Sequence, residues 1–174
     1  MFSRIKKEGN FTLSNGVKSK YNYDYSSLSD DMNSAYCELL LRKLEKWQLE
    51  HGKFSVIAGL ETEGIRIAFR LSREMNLPFL IVPHNRVAFS QLEVPSLPSD
   101  PHFLIVDDIV TTGSSFVRAV NFLEIEEKPE TVTFACMIRR DPKNLDYSAV
   151  QEQFHVTDER QDFIDKRLVS LFSE

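Results

Sequence analysis

Four short apolar runs constrain this chain more than anything else in it: FSVIAG (54–59), PFLIVP (78–83), FLIV (103–106) and TVTFACMI (131–138). They are rich in β-branched and aromatic residues, and none shows the strict apolar–polar alternation of a half-exposed strand. Runs of this kind are strands buried on both faces, which is the condition of a parallel sheet covered by helices. The intervening stretches supply those helices. With Asp30 or Asp31 as N-cap, Met32, Tyr36, Leu39, Leu40, Leu44 and Trp47 form a helical stripe broken only by Lys43, and Gly52 is placed to stop it. Ile65, Ala68, Phe69, Leu71 and Leu77 predict a second helix from Gly64 to Asn76, ended by Pro78. Phe116, Val117, Val120 and Leu123 predict a third from Ser114 to Glu127, and a closing helix is expected near Asp158 to Leu171. The expected fold class is therefore α/β, a Rossmann-like parallel sheet flanked by helices, preceded by an irregular N-terminal segment. In such sheets ligands lie beyond the C-terminal ends of the strands, where strand order reverses.

The 174 residues suit one domain, 1–174, and 42% hydrophobic with 27% charged residues is the balance of a soluble globular protein. A formal charge of −5 argues against bulk affinity for nucleic acid. Cys37 and Cys136 have no CxxC spacing and read as buried free thiols in a reducing compartment. The start, MFSRIKKEGNF, lacks the apolar core of a signal peptide, and no apolar run approaches the ~20 residues that span a bilayer. A cytoplasmic protein without nucleic-acid or membrane partners is expected. Residues 84–101 show no clean period and carry Pro95, Pro98 and Pro101, which predicts a long functional loop.

The chemistry concentrates where FLIV ends. Asp107 and Asp108 follow the strand, and Thr111, Thr112, Gly113, Ser114 and Ser115 make the turn into the next helix. A helix N-terminus offers unbonded amides and the positive end of the dipole, glycine lets the backbone approach closely, and hydroxyls add donors, so the turn suits a phosphate. Two carboxylates would repel that phosphate unless a neutral, hydroxyl-bearing part of the ligand lay between. A sugar phosphate meets this requirement, its diol donating to Asp107 and Asp108. Two other readings use the same residues. The acids could simply cap the helix, or serve a metal-dependent phosphatase or receiver domain. The latter needs acids from other strands, for which Glu61 and Glu63 are the candidates at a neighbouring strand end.

The run FLIVDDIVTTGSSF (103–116) resembles the 5-phosphoribosyl 1-pyrophosphate (PRPP) signature of type I phosphoribosyltransferases. The resemblance implies that Asp107 and Asp108 hold the ribose hydroxyls and that residues 111–115 bind the 5-phosphate, within a PRPP-binding core at 53–140. The likeness is greatest to the orotate group. FTLSNGVKSKYNYDY (11–25) is similar to that group's hood, here 1–28, which would set Lys18, Tyr21 and Tyr23 toward the base. GLETEGIRIA (59–68) resembles the pyrophosphate loop, giving Glu61, Thr62, Glu63 and Gly64 that role, and MIRRD (137–141) places Arg140 where an arginine clamps the orotate carboxylate. The family further implies Mg2+ as cofactor, PRPP and orotate or a similar base as substrates, and a homodimer.

One segment departs from the pattern. Orotate enzymes carry a lysine-rich loop after the second strand, whereas PHNRVAFSQ (83–91) stands here, with Val87 and Phe89 at cationic positions and no lysine from Glu74 to Glu127. Only His84 and Arg86 supply positive charge. Loss of one such group typically costs a factor of ~10² to 10³ in rate. The expected function is therefore PRPP-dependent transfer to orotate. A non-catalytic PRPP or nucleotide sensor and a transferase for another base are the alternatives.

Overall fold

The computed structural model describes residues 5–84, 97–123, 131–141, 144–146, 148 and 155–173. In chain order the elements are β1 (Lys6–Thr12), β2 (Lys18–Tyr23), α1 (Asp30–His51), β3 (Val56–Leu60), α2 (Glu63–Met75), β4 (Phe79–Val82), β5 (Phe103–Val110), α3 (Ser114–Leu123), β6 (Val132–Arg139), β7 (Leu145–Asp146), α4 (Asp158–Asp165) and β8 (Leu168–Ser173). Five strands form a parallel sheet in the order β4-β3-β5-β6-β8, and β1-β2-β7 form a small antiparallel sheet. All four expected strands are present, and the α/β fold with a helix-flanked parallel sheet is as anticipated.

Strand periodicity divides the core into two layers. Ile57 and Leu104 face one side with Leu40, Leu44, Ile67 and Leu71 from α1 and α2. Val56, Ala58 and Ile105 face the other with Phe116 from α3 and Ile164 from α4. From β3 the chain steps to β4 on one side and then returns to lay β5 on the other. Strand order thus reverses between β3 and β5, and a crevice opens beyond their C-terminal ends.

Several boundaries differ from expectation. The N-cap of α1 is Ser29, whose hydroxyl accepts the Met32 N–H at 3.3 Å, while Asp30 and Asp31 sit in the first turn and complement the helix dipole. Asn33 belongs to the buried face and Leu39 does not, being 42% exposed. A polar Asn fits inside because its side-chain oxygen accepts the Tyr25 hydroxyl at 2.5 Å. On α2 the expected Ala68 and Leu71 are buried together with Ile67, whereas Phe69 is 52% exposed. Lys43, the break in the α1 stripe, donates to the carbonyls of Ser170 and Leu171 at 2.8 and 3.0 Å.

Two differences concern whole elements. β5 does not end at Val106 but runs on through both aspartates, with Asp107 opposite Cys136 and Ile109 opposite Ile138. The expected closing helix is instead α4 followed by β8, which pairs in parallel with β6 and buries Val169 and Leu171. The N-terminal segment is not irregular: β1 and β2 pair as an antiparallel hairpin through a turn in which Gly16 has φ 84°. The third helix is described to Leu123, and the part expected to reach Glu127 lies outside the described residues, as does 85–96 of the loop.

Candidate functional site

Because side chains alternate along a strand, continuing β5 through Asp107 and Asp108 sends the two carboxylates to different sides. Asp107 lines a cavity of about 190 Å³ together with the 111–115 turn and His84. Asp108 lines an adjoining cleft of about 390 Å³ under the hairpin, together with Tyr23 and Arg140. The two spaces share Ser14, Asn15, Ile109 and Thr111. A ligand crossing from one to the other would meet one acid on each side. Asp107 Oδ1 accepts the Asp108 N–H at 2.9 Å. Burial and the neighbouring Asp108 hold the Asp107 carboxyl well above the usual carboxylate range, and burial also raises that of Asp108.

The N-terminus of α2 reaches this acid pair because residue 64 is glycine. A Cβ there would lie 2.6 Å from the Val106 carbonyl oxygen and 3.0 Å from the Asp107 Cα. The acids of the 61–64 loop are engaged. Glu61 accepts the His84 N–H at 2.6 Å, and Glu63 pairs at 3.0 Å with Arg66, which also reaches Asp30 at 3.2 Å. The Glu63 bond is the main reason the Arg66 guanidinium titrates above its usual range. The Glu61–Thr62 peptide is cis, and the Thr62 side chain makes no capping bond to α2.

The phosphate-like turn is braced internally and from below. Gly113 has φ 80°, and its carbonyl accepts from the amides of Phe116 and Val117 at 3.0 and 3.1 Å. Thr112 Oγ1 donates to Ser114 Oγ at 3.0 Å and accepts the Ser114 N–H at 3.3 Å. A Cβ on Gly113 would stand 2.7 Å from Ile164 Cδ1, so α4 supports the turn directly. Arg139 completes the brace, donating to the Thr111 carbonyl at 3.0 Å and pairing with Asp165 at 3.0 Å.

Arg140 is 2% exposed; its Nη1 donates to Ser19 Oγ and to the Tyr21 carbonyl, both at 3.1 Å, and its guanidinium lies 5.0 Å from the Tyr23 ring centre. It therefore joins β6 to the hairpin and borders the cleft that holds Asp108.

Most of the anticipated residues converge, and some do not. Asp107, Asp108, Thr111, Thr112, Gly113, Ser114, Ser115, His84, Tyr23 and Arg140 border the paired clefts, with Gly64 against the acids. Lys18 is exposed and lines a separate cleft of about 510 Å³ on the hairpin, beside Lys20 and Asp146. The Tyr21 ring carries Lys6 Nζ 3.5 Å from its centre and packs against the core. Arg86 lies outside the described residues. Among the cleft residues that sequence reasoning did not assign to the site are Ser14, Asn15 and Arg118. The Asn15–Gly16 pair is a hairpin-turn signal, and Arg118 stands four residues after Ser114, on the same helical face. Among the described residues no group of three or more His, Cys, Asp or Glu is disposed to hold a metal ion.

Comparison with known proteins bears on the family and the fold. The family model described as phosphoribosyl transferase domain matches residues 34–165. An orotate phosphoribosyltransferase of Pyrococcus horikoshii is 33% identical over 121 residues, which cover 67% of this chain and 63% of that protein. The chain thus spans somewhat less than two thirds of that relative. The crystal structure of orotate phosphoribosyltransferase from Aeropyrum pernix superposes with a TM-score of 0.66 at 23% identity, over 98% of this chain and 88% of that one. Adenine phosphoribosyltransferase from Saccharomyces cerevisiae shares the fold as well, with a TM-score of 0.65 at 14% identity over 98% and 96% of the two chains.

Proposed function

The chain belongs to the phosphoribosyltransferase family, and on that premise we propose that it transfers ribose 5-phosphate from PRPP to orotate, giving orotidine 5'-monophosphate and pyrophosphate. The observation that carries this reading is the division of Asp107 and Asp108 between two adjoining clefts, one floored by the 111–115 turn and the other roofed by the hairpin. The 5-phosphate occupies the turn, where α3 offers its first amides and dipole. The ribose lies across the acid pair, its hydroxyls donating to the carboxylates. The base enters the hairpin cleft, where Arg140 and Tyr23 present a guanidinium and an aromatic ring, a match for a planar carboxylate-bearing ring. The identity of the relatives supports orotate over other bases.

In this reading the chain's own residues bind and orient. Asp107 and Asp108 stabilise positive charge growing on the ribose ring as the base adds and pyrophosphate leaves. The 61–64 loop faces the pyrophosphate, with Glu61 and Glu63 already bonded to His84 and Arg66 and so not directed at the anion. The acid pair fits a cation shared with the ligand: both carboxyls are raised by burial, Asp107 further by the neighbouring Asp108, and so gain from positive charge, while the described residues build no metal cage alone. Beside that pair, Mg2+ would supply positive charge to the departing group. PRPP and the base are the partners, in a cytoplasmic homodimer.

One observation favours a second reading. Lys18 lies away from the paired clefts, and no lysine occurs from Glu74 to Glu127, so a PRPP-binding sensor without turnover is the alternative. Orotate consumption, followed by absorbance with PRPP and Mg2+, separates the two. Turnover abolished by Asp107→Asn/Asp108→Asn supports the transferase. PRPP binding without consumption of orotate or another base supports the sensor, and no PRPP binding overturns both.

A further inference from the structure

Arg118 projects from the second turn of α3 into the cavity that holds Asp107 and the 111–115 turn. Side chains on a helix lean toward its N-terminus, which carries this guanidinium back over the turn. Its Nε is buried and has no hydrogen-bond partner among the described residues, and no ion pair of Arg118 is formed there. A buried donor left without a partner costs free energy, so a group in this state beside an open cavity calls for a ligand acceptor. The acid nearest in effect is Asp107, on whose carboxyl the Arg118 charge acts favourably without a bond between them. The turn itself supplies hydroxyls and amides but no fixed charge, and the other basic side chain lining the cavity is the His84 imidazole.

Building on the reading above, we infer that Arg118 is a ligand-binding residue, its guanidinium pairing with the phosphate monoester seated in the 111–115 turn. In a chain with no lysine from Glu74 to Glu127, it brings to the cavity a fixed positive charge that the turn lacks. A guanidinium is suited to this because it stays charged and offers two parallel donors to two phosphate oxygens.

The test is calorimetric titration of the intact protein and of Arg118→Met and Arg118→Lys with three probes: PRPP, ribose 5-phosphate and inorganic pyrophosphate. Thermal unfolding of each variant identifies misfolded protein, and the lysine variant keeps the comparison informative if the methionine one fails to fold. The expected result is that Arg118→Met weakens ribose 5-phosphate and PRPP about 10- to 100-fold, the effect of one charge-assisted pair, and that Arg118→Lys recovers part of the loss. Pyrophosphate binding should change less than about threefold in both variants. Ribose 5-phosphate bound equally by all three proteins, or a loss confined to pyrophosphate, overturns the assignment. If the wild-type protein bound neither PRPP nor ribose 5-phosphate, the transferase reading would fall first and this inference with it.

Discussion

Burial raises the carboxyls of Asp107 and Asp108 in the folded state, so the unfolded chain releases these protons at lower pH than the folded one. The sign follows: the pair lowers stability at neutral pH, and the penalty fades as pH falls toward the ordinary carboxylate value of 3.8. Asp107→Asn keeps the acceptor for the Asp108 amide and removes the charge. It should therefore raise the unfolding midpoint by on the order of 3 °C at pH 8, with the difference vanishing near pH ~4 in a calorimetric series. The same variant should lose PRPP binding by at least ~100-fold, because the amide keeps one acceptor oxygen, already bonded to the Asp108 N–H, and has neither the second oxygen nor the charge of a carboxylate. At this scale the acids and the turn were legible, because adjacent carboxylates after a buried strand and a TTGSS turn before a helix have few other uses. Arg118 was not, since an arginine on an amphipathic helix looks solvated until the cavity beside it is known. Nor was the separate setting of Lys18, which depends on which face of β2 turns toward the core.

Helix positions are set by close backbone contacts that tolerate no extra atom. Gly64→Ala would place a methyl 2.6 Å from the Val106 carbonyl, and backbone cannot give way as a side chain can. The expected loss is about 2–3 kcal/mol in urea unfolding, with the N-terminus of α2 pushed off the acid pair. The brace under the phosphate turn behaves differently. Asp165 is half-exposed, so its pair with Arg139 adds little to stability, yet that arginine also fixes the Thr111 carbonyl. Asp165→Ala should leave the unfolding midpoint nearly unchanged while raising KM for PRPP about threefold at constant kcat in steady-state assays. The strands of the central sheet were legible because continuous apolar runs carry their own signature. β8 was not, because LVSLFS following a helix can be read at either period until β6 is seen beside it. β1, with the sequence KKEGNFT, is a strand only by virtue of its partner, and pairing across a turn leaves little local trace.

Taken as a whole, the molecule is a helix-flanked parallel sheet whose crevice is covered by a small antiparallel one, and Arg140 ties the two together through Ser19 and Tyr21. Arg140→Leu should cost about 2 kcal/mol in lost bonds to a charged donor. Amide exchange would show where: protection should fall in β2 and its turn while β3 and β5 keep theirs. Overall architecture was legible from the alternation of runs and stripes. The way its parts meet was not, because contacts such as Arg140 with Ser19, 121 residues apart, have no local signal. The support of the 111–115 turn by Ile164 and, through Arg139, by Asp165 has a bearing on biosynthesis. A chain leaving the ribosome presents the turn some fifty residues before α4 emerges, counting from Gly113 to Ile164. Until then the 111–115 turn lacks the contacts that Ile164 and, through Arg139, Asp165 supply. On the proposed reading, the turn would gain its full support for a phosphate only after α4 has been made.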